Sequence, residues 1–178
     1  MHTLAVTANK LPYPKTWFVI STIVIAVIVS AMIYLAFDSL ETFARYFWMV
    51  VAVLVGVPLF LLNIPPIFTD HYQGEKGLRL RMGLLMNSTV PYEWIIGVTD
   101  ASVRFGSVRI GIGVKYAPKL KTVFVTSSFN DLVTLHLDGP RNLGGIMKPD
   151  VEKITLSVKD KEHFVSSVKA RAGIVEEE

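Results

Sequence analysis

Two stretches of this chain contain no charged residue, and they constrain the fold more than any other feature. Residues 17–37 read WFVISTIVIAVIVSAMIYLAF, and residues 47–64 read FWMVVAVLVGVPLFLLNI. As a helix the first stretch is about 31 Å long, the thickness of a hydrocarbon core. With only residues 38–46 between them, the stretches predict a transmembrane helical hairpin. A cleaved signal peptide is the alternative for the first stretch, but its apolar run exceeds the roughly 7 to 15 residues usual for that class.

The basic residues around these stretches predict the orientation of the hairpin. Lys10 and Lys15 precede the first stretch, and three basic residues follow the second between positions 76 and 81. The connecting segment has a single basic residue beside two acidic ones. Because Lys and Arg accumulate on the cytoplasmic side, we expect residues 1–16 and both termini in the cytoplasm, with the 38–46 loop outside. This is the topology of a multi-pass protein of the cytoplasmic membrane.

Small residues recur at four-residue intervals on both predicted helices. They are Thr22, Ala26 and Ser30 on the first helix, and Ala52 and Gly56 on the second. Such spacing lets helix backbones approach closely, either within one hairpin or in a homo-oligomer or a complex with another membrane subunit. Neither stretch contains an ionisable residue, which disfavours a transporter or a pump.

After the second stretch the hydrophobic pattern changes to alternation, which is typical of half-buried β-strands. We expect Pro65 and Pro66 to end the second helix and residues 65–69 to form a short linker. A mainly-β domain then occupies residues 70–172, and residues 173–178 form an acidic tail. The candidate strands are residues 78–82, 84–86, 91–96, 108–114, 122–126, 132–137 and 154–158.

The end of this domain has helical spacing. Asp160 is a suitable N-cap, and Phe164, Val165, Val168 and Ala172 lie on one apolar stripe. Because short antiparallel strands leave the ends of their core open, we expect this amphipathic helix to cover one end.

Four passages of the chain, placed after two membrane stretches, resemble the prokaryotic membrane-anchored pleckstrin-homology-like (PH-like) domain proteins. The passages are VPYEWI, TVFVTSS, LVTLHLDGPR and KITLSVKDKEHFVSSVKAR. The resemblance covers about residues 70–171 and the preceding hairpin, and it is most specific around Asp160 and Phe164. It implies about seven antiparallel strands in a bent sandwich or barrel, capped by a C-terminal α-helix and acting as a binding or assembly module. An OB-type barrel is the main alternative architecture.

Eight basic residues between positions 76 and 121, against two acidic ones, are the candidate contacts for a lipid headgroup or another anion. Arginine can bind a phosphate bidentately, and each basic residue near an anionic leaflet contributes about 1 kcal/mol. The alternatives are an acidic protein partner, or a solvated strand face for the basic residues near the membrane. The eight are Lys76, Arg79, Arg81, Arg104, Arg109, Lys115, Lys119 and Lys121.

The sequence disfavours most catalytic classes. It has no cysteine, its four histidines show no ligand spacing, and no Gly-x-Ser-x-Gly motif is present. We therefore expect no metal, no cofactor, no small-molecule substrate and no enzymatic activity, with a cryptic hydrolase as a weak alternative. The net charge of +3 and the lack of paired stacking aromatics disfavour nucleic-acid binding.

The leading interpretation is a non-catalytic integral membrane protein that presents a cytoplasmic PH-like module for protein–protein assembly. Its partner is a second copy of the chain or a larger membrane complex. The alternative is a module that binds anionic lipid headgroups at the membrane surface.

Overall fold

The computed structural model describes residues 9–101, 104–105, 108–109, 111–143 and 150–174. In these residues two long apolar helices are followed by two β-sheets, a short β-ribbon and a closing helix.

The two long helices are α1, Thr16–Asp38, and α2, Thr42–Ile67. Both are long and apolar enough to cross a membrane, and only 11% of the apolar window of each is buried. Core helices of soluble proteins are mostly buried, so this exposure favours a lipid environment. The predicted pair of helices is confirmed, but α2 begins earlier than expected, and the connection is residues 39–41 instead of 38–46.

The second helix ends at Ile67, three residues beyond the predicted end at Ile64. Both prolines lie inside α2. A proline lacks an N–H donor, but its carbonyl still accepts. The N–H groups of Phe68 and Thr69 donate to the carbonyls of Pro65 and Pro66, so the turn closes beyond the prolines. Most of the expected linker is therefore the end of the helix.

A four-stranded antiparallel sheet contains, in order, β1 (Asn9–Leu11), β2 (His71–Gln73), β3 (Gly77–Met82) and β4 (Met86–Pro91). β1 precedes α1 in the chain, yet it pairs with β2, which follows α2. Residues 9–11, which we expected to belong to a separate segment 1–16, therefore form an edge strand of the β-domain.

A five-stranded sheet has the order β5 (Ile95–Asp100), β10 (Leu132–Asn142), β11 (Asp150–Ser157), β9 (Thr122–Thr126) and β8 (Gly113–Ala117). β11 lies between β10 and β9; it is antiparallel to β10 and parallel to β9. The expectation of an entirely antiparallel domain fails for this one pair. Hydrophobic alternation predicts that a segment forms a strand with one buried face, but it does not predict which strand lies beside it.

Three predicted strands differ from the structure. Residues 84 and 85 lie in the turn between β3 and β4, so only Met86 of the predicted strand 84–86 belongs to a strand. The stretch 108–114 contains β7 (Val108–Arg109), which pairs with β6 (Arg104–Phe105) in a separate ribbon, and the beginning of β8. The stretch 91–96 contains a short 3-10 helix, Tyr92–Trp94, before β5 begins.

The core lies between the two large sheets, and α3 (Lys161–Ala172) packs against it. Asp160 caps this helix by accepting a hydrogen bond from the N–H of His163 at 3.1 Å, as predicted. Phe164 and Val168 are buried, which confirms the apolar stripe. Among the fully buried core residues are Leu78, Leu80, Val133, Leu135, Ile154 and Leu156.

Candidate functional site

The segments before α1 and after α2 meet in a set of buried polar contacts at the ends of the two helices. β1 leads into α1 through Tyr13, and α2 leads into β2 through Thr69 and Asp70. We call this set the juxtamembrane junction, and its members are Lys10, Tyr13, Lys15, Pro66, Thr69, Asp70, His71 and Gly83.

Tyr13 links the segment before α1 to the end of α2. Its side chain is buried, and its hydroxyl donates to the carbonyl of Pro66 at 2.7 Å and lies 3.0 Å from Thr69 Oγ1. Burial raises the pKa of Tyr13 to about 12, so the phenol stays neutral and remains a donor. This contact joins residues that are 53 positions apart in the chain.

Asp70 is the charged centre of the junction. It is only 2% exposed, and its carboxylate oxygens lie 2.9 Å from Lys10 Nζ and 3.0 Å from Lys15 Nζ. The hydrogen bond and charge of Asp70 raise the pKa of Lys10. A buried carboxylate without such partners is strongly unfavourable, so the two lysines hold both flanks of the hairpin together.

His71 is fully buried beside Tyr13, and the two ring centroids are 4.9 Å apart. Its Nδ1 accepts from the backbone N–H of Arg81 at 3.1 Å, which places the proton of the neutral ring on Nε2. Among the described residues, Nε2 has no hydrogen-bond partner. Burial lowers the pKa of His71 to about 4, against the opposing charge of Asp70.

Gly83, in the turn between β3 and β4, completes the junction. Its N–H donates to Thr69 Oγ1 at 2.8 Å, and its φ is +52°. A Cβ at this position would lie 2.5 Å from Pro66 Cδ and 2.7 Å from Pro66 N. The turn therefore rests directly on the last turn of α2, and only glycine fits there.

The structure does not bring Lys76, Arg79 and Arg81 together in a single clamp. Arg79 and Arg81 are exposed on the outer face of the four-stranded sheet, where Arg79 Nε donates to Asn87 Oδ1 at 3.1 Å. Lys76 lies in the β2–β3 turn, at the opposite end of β3 from Arg81. Five residues of extended chain separate their backbones by about 17 Å.

The other candidate cations lie on different elements. Arg104 and Arg109 stand opposite each other across the β6–β7 ribbon, and Lys115 is exposed on the edge strand β8. Lys119 is exposed in a short 3-10 helix, and Lys121 Nζ forms an ion pair with Glu152 Oε1 at 2.5 Å. That hydrogen bond and the charge of Glu152 raise the pKa of Lys121. The eight basic residues thus form several groups instead of one patch.

The small residues of the two helices have different environments. Ala52 and Gly56 are buried in the seam between α1 and α2, where a Cβ on Gly56 would lie 3.0 Å from Val29 Cγ2. Ala26 and Ser30 are exposed. The third member of their stripe, Thr22, is half-buried and its hydroxyl donates to the carbonyl of Phe18 at 2.7 Å.

Sequence reasoning missed the junction. It used Lys10 and Lys15 only as indicators of orientation, and it gave no role to Tyr13 or His71. A usable signal was charge, because two lysines directly precede one membrane stretch and an acidic residue follows the other.

No protein-family model, no curated protein and no solved structure matches this chain. Across the residues that the structure describes, no group of three or more His, Asp or Glu side chains is placed to hold a metal ion. The functional conclusion therefore depends on the geometry of the junction and of the exposed surfaces.

Proposed function

We propose that this chain is a non-catalytic integral membrane protein whose α1–α2 hairpin crosses the bilayer and carries a PH-like β-domain as a platform for protein–protein assembly. The observation that supports this most is the juxtamembrane junction, which fastens the β-domain to both helix ends without a free linker. A domain held in one orientation loses less freedom when a partner binds, so a fixed platform favours assembly.

The pairing of β1 with β2 supports a topology in which the segments before α1 and after α2 lie on the same side of the membrane. These strands lie in one sheet, so residues on either side of the membrane-crossing segment occupy the same compartment. The lysines before α1 and the arginines of β3 favour the cytoplasm, because basic residues accumulate there. We therefore place both termini and the β-domain on the cytoplasmic side.

The PH-like architecture is supported by two sheets around one core and by a closing helix that Asp160 caps and that buries Phe164. The parallel pair formed by β9 and β11 departs from the all-antiparallel pattern of that family. The layers of the domain thus agree with a PH-like module better than its strand order does.

Apolar side chains outside the helices supply surface for a protein partner. Ile96, on the edge strand β5, is 60% exposed, and Phe129, in the β9–β10 loop, is 45% exposed. An edge strand also offers unpaired backbone groups to another chain. On α1, the exposed Ala26 and Ser30 leave room for a helix of a second subunit.

The experiment is mass measurement of the full chain extracted from native membranes in a mild detergent. We expect more than one copy, or one copy with a co-purifying membrane protein. Ile96→Asp should lower the assembled fraction, whereas Thr89→Asp, a similar exposed strand position on the other sheet, should not. A monomer without bound protein would contradict the proposal.

A second candidate function, contact with anionic headgroups, is favoured by one observation. Arg79 and Arg81 share an exposed sheet face, and Arg81 lies at the end of β3 that approaches α2. At about 1 kcal/mol for each cation, losing one weakens retention of anionic lipid about fivefold. Native mass spectrometry of Arg81→Gln and Lys119→Gln would compare retained lipid, and equal retention would contradict this role.

A further inference from the structure

We propose that the tip of the β3–β4 hairpin, residues 83–85, is seated in the headgroup layer of the bilayer beside the end of α2, with Leu84 in contact with lipid. This inference rests on the part of the proposed function that has α1 and α2 crossing a bilayer. It does not depend on protein assembly.

The height of the tip follows from its contact with α2. The backbone of Gly83 touches Pro66, which lies two residues beyond Ile64, the end of the predicted span, and four residues before Asp70, the first charged residue after it. Two helical residues correspond to about 3 Å along the axis. A headgroup layer is about 5 to 7 Å thick on each side of the hydrocarbon core, so the tip lies within it.

The side chains near the tip fit that layer. Leu84 is 67% exposed and Phe68, directly after α2, is 79% exposed. Leu85, by contrast, is half-buried and packs against the core of the β-domain. The turn thus directs one leucine into the domain and leaves its neighbour uncovered next to a membrane helix. Burial of an exposed leucine side chain is favourable, and the adjoining bilayer is the apolar phase within reach.

The charge around the tip agrees with lipid as the occupant. Arg81 is exposed, only two residues before Gly83. The apolar tip is thus followed, toward the β-domain, by a cation, and a bilayer has acyl chains followed by phosphates in the same order. Basic side chains keep their charge at the interface while their stems lie against apolar groups.

Depth-dependent quenching tests this directly. The chain has no cysteine, so single cysteines label without background. The full-length Leu84→Cys variant would carry an environment-sensitive fluorophore in nanodiscs that contain lipids spin-labelled at the headgroup or deep in the acyl chain. Two matched exposed positions serve as controls: Val27 on α1, at 63% exposure, and Ile96 on β5, at 60%.

We expect the headgroup quencher to act several-fold more strongly on position 84 than on position 96, and the deep quencher to act on position 27. Ile96 is far from the membrane because β5 begins next to the end of β4, and Pro91 pairs with Gly77 at the distal end of β3. Equal, weak quenching at 84 and 96 with strong quenching at 27 would overturn this inference alone. Weak quenching at 27 would overturn the proposed function as well.

A second pair of variants tests the contact between Gly83 and Pro66. Adding Gly83→Ala to the labelled chain places a Cβ against Pro66 and should displace the tip, which lowers headgroup quenching at position 84. Gly173→Ala is the matched control, because Gly173 also has positive φ, +68°, but no atom within 4 Å of the added Cβ. Unchanged quenching with Gly83→Ala would contradict the role of the Pro66 contact in holding the tip, and crosslinking of position 84 to a second copy would contradict lipid as the occupant.

Discussion

The seam between α1 and α2 and the juxtamembrane junction hold the same two helices, but by different means. The seam consists of close apolar contacts such as Gly56 against Val29, with a hydrogen bond from Ser21 Oγ to Asn63 Oδ1 at 2.7 Å. The junction consists of directional bonds and a buried charge. The seam fixes how α1 and α2 pack on each other, whereas the junction bonds together the segments that lead from these helices into the β-domain. The orientation of the β-domain is therefore set mainly at the junction.

The largest expected effect comes from Asp70→Ala, which removes the buried acceptor of the junction. Hydrogen bonds accepted by a charged group contribute about 1.5 to 3 kcal/mol, and this variant removes those that Asp70 accepts, although the lysines left behind are partly exposed and can be hydrated. Thermal unfolding in nanodiscs, followed by near-ultraviolet circular dichroism, would measure the loss of β-domain stability.

Asp138→Ala is the control for that measurement, because it removes a carboxylate from an exposed pair with Arg141. We expect a much smaller loss there, since exposed ion pairs contribute little. Equal losses of stability in the two variants would show that the junction contributes no more than an exposed ion pair.

Acidification should weaken the junction through His71. The pKa of His71 is about 4 in the folded chain, below the ordinary value of 6.5. Between these two pH values the unfolded chain therefore binds a proton at His71 that the folded chain does not bind. This contribution to stability is present above pH 6.5 and is lost as the pH falls through 4, with a limit on the order of 3 kcal/mol. Protonation would also place a hydrogen on Nδ1, opposite the N–H of Arg81.

Unfolding measurements between pH 7 and pH 4.5 would test this dependence. His71→Asn keeps an acceptor near the position of Nδ1 but cannot titrate, so its stability should change less over this range. His163→Asn, at an exposed position, should leave the dependence as in the unaltered chain. If His71→Asn retained the full dependence, other groups would be responsible.

The smallest expected effect is in the seam. Ser21→Ala removes the hydrogen bond to Asn63, whose Nδ2 still donates to the carbonyl of Leu59. Side-chain hydrogen bonds between membrane helices contribute about 0.6 kcal/mol on average. Stability in nanodiscs should therefore change little, and a loss as large as that of Asp70→Ala would show that the seam also fixes orientation.

Local patterns predicted those elements that depend on nearby residues. The absence of charge over helical lengths located α1 and α2, and the Asp160 cap with Phe164 located α3. Strict alternation located β3, and a short run of apolar and β-branched residues located β9. β1 escaped prediction because three residues cannot display a period, and because its partner lies beyond the membrane hairpin.

The candidate site was harder to predict because it depends on long-range pairing. Sequence proximity suggested one basic region from Lys76 to Lys121, but strands of two sheets and a ribbon carry its members apart. Lys121 is also neutralised by Glu152, which lies on a later strand. The pairing of Asp70 with Lys10 and Lys15 likewise became visible only when both ends of the hairpin were placed together.

The pairing of β1 with β2 has a consequence for biosynthesis. β1 ends at Leu11 and β2 begins at His71. At about 5 to 20 residues per second, several seconds pass between the synthesis of β1 and that of its partner strand. In the proposed transmembrane arrangement, a hairpin inserted with only one crossing would leave β1 on the opposite side of the membrane from β2. The sheet then lacks an edge and a buried carboxylate lacks its lysines, which couples completion of the domain to correct insertion.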